Sequence, residues 1–186
     1  MSALPQPLPN EEPEPQPIPQ AEVVGNDPVF FPVSKTKFIL LSIASFGIYE
    51  VFWFYKNWQI LRDRDGLQIR PVWRAIFFPI WCFEFFKIVH ERATGSGVSS
   101  SINAVGLGIA VIVLNALARL PDPFWLISFL SFVPLLPVLS VMSDVNNQAA
   151  PFADKNDALS GKNLALLLIG GILVIMASIG AFIPGE

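Results

Sequence analysis

The sequence predicts an all-α fold: a polytopic transmembrane helical bundle of about five spans behind a disordered, Pro-rich N-terminal tail. Three observations predict it. Of 186 residues, 53% are hydrophobic and 15% are charged, where soluble domains carry about 25% charged residues. The charges are also unevenly spread. Thirteen Asp, Glu, Lys and Arg residues lie in residues 1–65, whereas residues 93–153 hold three, Arg119, Asp122 and Asp144. A soluble fold cannot wet its surface with so long a stretch this apolar. Finally, the apolar runs are about 17–20 residues long, which as helix matches the hydrocarbon thickness of a bilayer. They are too long and continuous for barrel strands, and lipid leaves no partner for an open strand edge.

The chain divides into a tail, residues 1–33, and a transmembrane helical domain, residues 34–186. Residues 1–28 hold eight prolines and five acidic residues, with no Lys or Arg. Runs such as Pro13-Glu14-Pro15-Gln16-Pro17 fix φ and donate few hydrogen bonds, so a solvated polyproline-like spacer is expected. The basic and apolar regions of a secretory signal are missing here, so the first span is expected to direct insertion.

The first span is expected at 38–55, with Ser34 as N-cap and Lys35 and Lys37 at the interface. Its helix is expected to run on to Asp65 and stop at Gly66, a natural left-handed cap. The second, 72–90, starts with Pro71 at the first helical position and contains Pro79, a kink. If this span only dips into the interface, the count falls to four. A Gly/Ser loop, 93–101, precedes the third span, 102–118, for which Ser101 is the expected cap. Arg119-Leu120-Pro121-Asp122-Pro123 then reads as a tight hairpin, with Asp122 as N-cap, Pro123 at N1 and an Arg119–Asp122 ion pair. Spans three and four should therefore pack antiparallel. The fourth, 124–142, carries Pro134 and Pro137 and should bend. A polar loop, 143–163, leads to the fifth, 164–183, which has no charge. Ala104 with Gly108, and Ala177 with Ala181, have the small-x-x-x-small spacing of helix contacts.

Composition and motifs exclude several functions. A net charge of −3 and a pI near 5.1 argue against nucleic-acid binding. The single cysteine, Cys82, leaves no disulfide within the chain, and the single histidine, His90, leaves no histidine-based metal cluster. No G-x-S-x-G, P-loop or H-E-x-x-H sequence occurs, and no base stands beside serines 99–101 in sequence. Neither an enzyme nor a cofactor is expected.

Ionisable residues inside spans are the candidates that remain, because lipid makes them costly. These are Glu50, Glu84 and Lys87, with the polar Asn115. In one reading Glu50, Glu84 and Lys87 form an ion or proton path in a small transporter or channel-like oligomer. In the simpler reading Glu84 and Lys87 pair at i and i+3. Glu50 then bonds a Lys or Arg, and Asn115 bonds across helices. A second group, Lys56, Trp58, Arg62, Arg64, Arg70, Trp73 and Arg74, alternates aromatic and basic residues through the first loop. It reads as an interfacial belt with cationic anchors, or as a site for anionic lipid headgroups. The partners expected are the lipid bilayer, anionic headgroups, another membrane protein or a second copy of the chain.

Sidedness follows from Lys and Arg. Five spans place Lys56, Arg62, Arg64, Arg70, Arg74 and Arg119 on one side. Lys35, Lys37, Lys87, Arg92, Lys155 and Lys162 fall on the other. The count is tied. The density of the first loop favours a cytoplasmic position for it, with the tail outside.

The stretch from Gly47 to Lys56 reads G-I-Y-x-x-x-W-x-Y-K. It resembles a bacterial membrane family of unknown function, the domain-of-unknown-function family numbered four-two-three-four, over about residues 36–65. The resemblance implies a protein of the bacterial inner membrane and implies no activity. Some members of that family carry cytoplasmic N-terminal modules, and where that transfers the tail would be inside.

Overall fold

The computed structural model describes residues 27–182. Most of the expected disordered tail, residues 1–26, therefore lies outside the described residues. What is described is all-helical, with no strand among those residues. Its helices are α1 (Lys35–Ala44), α2 (Ile48–Asp65), α3 (Pro71–Ile76), α4 (Phe78–Gly95), α5 (Ala104–Ala116), α6 (Leu135–Ala149) and α7 (Gly161–Gly180). Two short 3₁₀ segments, Leu117–Arg119 and Phe124–Phe132, flank the hairpin after α5.

The tail boundary at residue 33 needs correcting. Residues 28–33 are a non-helical strip, bent at Val29 and Phe30, laid into the core. Phe30 is fully buried, and Val29 and Val33 nearly so. A non-helical strip exposes its peptide groups, and buried peptide groups must find partners. Two buried asparagines supply them. Asn146 accepts from the Phe30 N–H (2.9 Å) and donates to its carbonyl (2.8 Å), while Asn57 accepts from the Phe31 N–H at 2.9 Å. Apolar residues inside a proline frame thus signal a buried strip here and not a spacer.

The first expected span, 38–55, is not one helix. Ser34 caps α1 as expected, accepting from the Lys37 N–H. The helix then stops at Ala44, because Phe46 and Gly47 are left-handed, at φ +53° and +83°. Rings on either side of the turn meet: Phe38 lies 5.9 Å from Tyr49 and 5.3 Å from Trp53. A straight helix would hold residues 38 and 53 about 22 Å apart at 1.5 Å per residue. The chain has therefore folded back into a helical hairpin. α2 runs on to Asp65 and ends at left-handed Gly66, as expected.

The second expected span, 72–90, reverses too. α3 runs back along α2, which brings Arg74 over Trp58 and Phe78 against Phe54. Phe77 then breaks the helix just ahead of Pro79. α4 returns parallel to α2: Phe85 meets Trp58 and Arg92 pairs with Asp65. A mere kink at Pro79 would have carried Phe85 away from Trp58.

The rest follows the expectation more closely. Asn103, not Ser101, caps α5 by accepting from the Gly106 N–H. The hairpin forms and α5 packs against the following 3₁₀ segment. Asp122, however, accepts from Trp125 Nε1 (2.6 Å) and forms no salt bridge with Arg119. With that carboxylate engaged, no side chain caps the segment, which winds as 3₁₀. The 3₁₀ segment ends at Phe132 and α6 begins after Pro134, with Pro137 inside α6. α6 continues to Ala149, so the polar loop is shorter than expected, and Ser160 caps α7. Phe124–Ala149 and Gly161–Gly180 are each long and apolar enough to cross a membrane, with mean hydropathies of 2.1 and 2.3.

Candidate functional site

The tip of the first hairpin is closely bonded. Every N–H from Ser45 to Glu50 is paired locally. Phe46 donates to the Ile43 carbonyl, Gly47 to that of Ser42, and Tyr49 to Ser45 Oγ. Such a tip can lie in an apolar medium, where an open turn could not.

Glu50 stands in the first turn of α2, directly behind this tip, and is 1% exposed. Its Oε1 accepts from Ser131 Oγ at 2.7 Å. The other oxygen, Oε2, has no hydrogen-bond partner among the described residues, and neither has Ser42 Oγ on α1. A cavity of about 160 Å³ lies beside Ser42 and Ser131, walled also by Gly47, Ser128, Phe46 and Trp125; Glu50 is not in its wall and reaches it through Ser131. No basic side chain reaches Glu50 among the described residues. The expected bond to a Lys or Arg is thus replaced by a bond to a hydroxyl. The cause is the hairpin, which turns Glu50 toward the 3₁₀ segment, an element without charge.

Glu84 and Lys87 do not pair with each other. Fold-back of α3 delivers Arg74 Nη1 to Glu84 Oε1 at 2.7 Å, and Lys87 faces Glu91 at 3.7 Å on the same helix. Neither joins Glu50. Arg74 is also held flat between two indoles, 4.4 Å from the Trp58 ring and 4.2 Å from the Trp81 ring. Asn115 donates to the Val111 carbonyl of its own helix and not across helices.

The aromatic and basic group divides. Trp58 is fully buried and belongs to the core, while Trp73 is 54% exposed. Lys56 lies beside the Phe52 and Tyr55 rings. Arg62 pairs with Asp63 at 2.7 Å, and that carboxylate holds the guanidinium in its charged form more firmly than usual. Arg64 donates to the carbonyls of Asp27 and Pro28, and Arg70 is exposed. These cations are spread along α2, the loop after it and α3, and do not converge on one pocket.

Sequence reasoning missed other residues. Lys37 is buried, and its ammonium donates to Asn156 Oδ1 (2.8 Å) and to the carbonyls of Asn156 and Ala158. Ser42 and Ser131 carry no signal, since serine is ordinary in apolar helices. Asn57 and Asn146 carry none either, since both have polar neighbours in sequence, Lys56 and Gln59 around one and Asp144, Asn147 and Gln148 around the other. His90 Nδ1 lies 2.9 Å from Ser100 Oγ, so the fold supplies the base that the sequence lacks beside that serine. No carboxylate orients this histidine among the described residues, so the triad geometry of a nucleophilic serine is absent there.

α7 is held by one close approach. A Cβ on Gly170 would fall 2.0 Å from the Ala44 carbonyl oxygen, so α1 and α7 touch backbone to backbone. Beside that contact a groove of about 480 Å³ runs between the hairpin tip and α7. Phe46, Ile48, Phe52, Leu166 and Leu173 line it, with Lys162 at one end. Elsewhere α7 faces outward, Gly170 being its one buried residue.

Compared with protein-family models, with curated proteins and with solved structures, the chain matches none. The resemblance of residues 36–65 stands on its motif alone.

Proposed function

We propose that this chain is a non-catalytic, multi-pass protein of a bacterial inner membrane that acts through helix contacts with lipid or with a membrane-protein partner. The observation that carries this reading is α7. Its 20-residue, strongly apolar body is 6% buried over the window long enough to cross a membrane. No water-exposed helix keeps such a surface; lipid or a partner helix must cover it. The groove beside Gly170, apolar with Lys162 at its end, suits an anionic lipid.

Placement in the membrane follows from the two hairpins. α1 has ten residues, about 15 Å of helix, or half the hydrocarbon core. Both hairpins open toward the buried strip 28–33, so they enter and leave by one face. Crossing is then left to three elements: α5, the Phe124–Ala149 unit, and α7. This replaces five spans by three crossings and two re-entrant hairpins, and it breaks the tie in basic residues. Eleven Lys and Arg residues belong to the arms, loops and open ends on the strip's side, and Arg119 alone lies at the opposite hairpin. The positive-inside rule makes the strip's side cytoplasmic.

Reporter fusions test the placement. Fusions within residues 66–70, 96–103 and 151–159 are expected to report the cytoplasm, and one at residues 120–122 the periplasm. Opposite signals from 66–70 and 96–103 would restore a full second span and sink it. The contact reading itself is tested by purification in mild detergent; loss of both lipid preference and any co-purifying membrane protein would refute it.

A second reading, a small transporter or channel-like oligomer, is favoured by Glu50 alone. Glu84 and Lys87 lie apart from it, occupied by Arg74 and Glu91.

A further inference from the structure

We infer that the hairpin tip is an exchange site for one small, hard, monovalent cation, with the Glu50 carboxyl as the binding group and the serine-walled cavity as its vestibule. The inference rests on the membrane placement proposed above and deepens the second reading.

Three features meet at one point. The first is the helix break itself. α1 ends and α2 begins at residues 45–47, which sets Gly47 and Glu50 beside Ser131 of the 3₁₀ segment. Broken helices place partial charges where a continuous helix has none, and such breaks hold ions in membranes. The second is the unfinished bonding. Glu50 Oε2 and Ser42 Oγ are both buried, and neither has a hydrogen-bond partner among the described residues. Buried polar atoms in native proteins are nearly always satisfied. Ser131 Oγ donates to Glu50 and still has lone pairs to offer. The third is space. The cavity of about 160 Å³ has Ser42, Ser128 and Ser131 in its wall, room for an ion with a water. Carboxylate and hydroxyl oxygens are hard donors, suited to a hard cation and not to a soft one.

The charge balance of the site also needs a cation. The elements around Glu50 carry few charges. Lys35 and Lys37 sit at the far end of α1, and Lys37 is engaged with Asn156 and Ala158. Lys56 and the Arg62–Asp65 run lie further along α2. Arg119 and Asp122 flank the hairpin before the 3₁₀ segment, Asp144 is on α6 and Lys162 begins α7. Tyr49 is the adjacent titratable group. None of these forms a hydrogen bond or salt bridge with Glu50. A buried carboxylate is therefore balanced only by a cation that enters, either a proton or a sodium-sized ion. When sodium binds, the carboxyl releases its proton to water in the cavity by way of the Ser131 hydroxyl that separates them, and one positive charge replaces another.

Infrared difference spectra of the reconstituted protein test this by following the carbonyl stretch of protonated Glu50, assigned by its absence in Glu50→Gln. Gln keeps the bond to Ser131, so that variant is expected to fold. If the band bleaches as pH rises, equally in sodium and choline, the site exchanges protons. If sodium bleaches it at a pH where choline does not, the site binds sodium, and Ser42→Ala is expected to weaken that effect without lowering thermal stability. Both outcomes support the inference and identify the ion. A band invariant with pH and salt would overturn it, leaving Glu50 a permanently protonated partner of Ser131. The band reads Glu50 whatever the sidedness, so it can fail while the reporter fusions succeed, or the reverse.

Discussion

Replacing Asn146 with leucine is expected to release the buried strip 28–33 from the core. The amide satisfies both peptide groups of Phe30, at 2.9 and 2.8 Å, and leucine offers neither a donor nor an acceptor. Each buried group left unpaired costs about 1–3 kcal/mol. Phe30 would also lose its seat against Phe85, 6.4 Å away ring to ring. A marginally stable protein does not absorb that sum in place. Limited chymotrypsin digestion in detergent provides the measurement. The bond after Phe30 should be protected in the native chain and cut in Asn146→Leu, whereas Phe31, followed by Pro32, is no cleavage site. Asn146→Asp, which keeps the acceptor and loses the donor, should fall between. Equal protection in all three proteins would show that burial of the ring alone holds the strip.

Adjacent glycines on α7 are expected to answer alanine in opposite ways. At Gly170 the new Cβ would lie 2.0 Å from the Ala44 carbonyl oxygen and 2.8 Å from its carbon. Backbone cannot swing aside as a side chain can, so α7 must lift off α1. Overpacking of this kind costs about 1–3 kcal/mol. At Gly171 nothing lies within 4 Å, and alanine favours helix over glycine by about 1 kcal/mol. Gly170→Ala should therefore lower the unfolding midpoint in detergent while Gly171→Ala holds or raises it. A cysteine crosslink between α1 and α7 should fail only in the former. Matching behaviour of the two variants would mean that α7 is not docked through Gly170.

The all-helical class was legible, and with it two helices long and apolar enough to cross a membrane, because composition and run length report them directly. The two reversals were not. Hydropathy sees residues 45–47, Ser-Phe-Gly, as part of one apolar run, since Phe46 is as apolar as its neighbours. Its left-handed backbone is a tertiary outcome, and Gly47 was the only local hint. Phe77 hides the second break in the same way. Once the helices fold back, partners change: Glu84 meets Arg74 instead of Lys87, and Glu50 meets Ser131 instead of a cation. Local signals held where the cause was local. Ser34 caps α1, Gly66 ends α2, Pro71 opens α3, and Pro134 separates the 3₁₀ segment from α6. The strip 28–33 was misjudged because proline dominated the reading of a segment whose valines and phenylalanines decide its place.

The two hairpins give the molecule an unequal cross-section. On the proposed placement, all seven helices pass through the cytoplasmic half of the bilayer. The periplasmic half holds only three columns: the end of α5 with its 3₁₀ turn, the Phe124–Phe132 segment and the end of α7. With each column about 10 Å wide, the protein is a cone with its base toward the cytoplasm. Lipids packed around a cone must splay in one leaflet and crowd in the other. A flat bilayer resists that shape and a bilayer bulging toward the cytoplasm accepts it. The fold that hides a carboxyl at its tip thereby also gives the protein a preference for where in the membrane it lies.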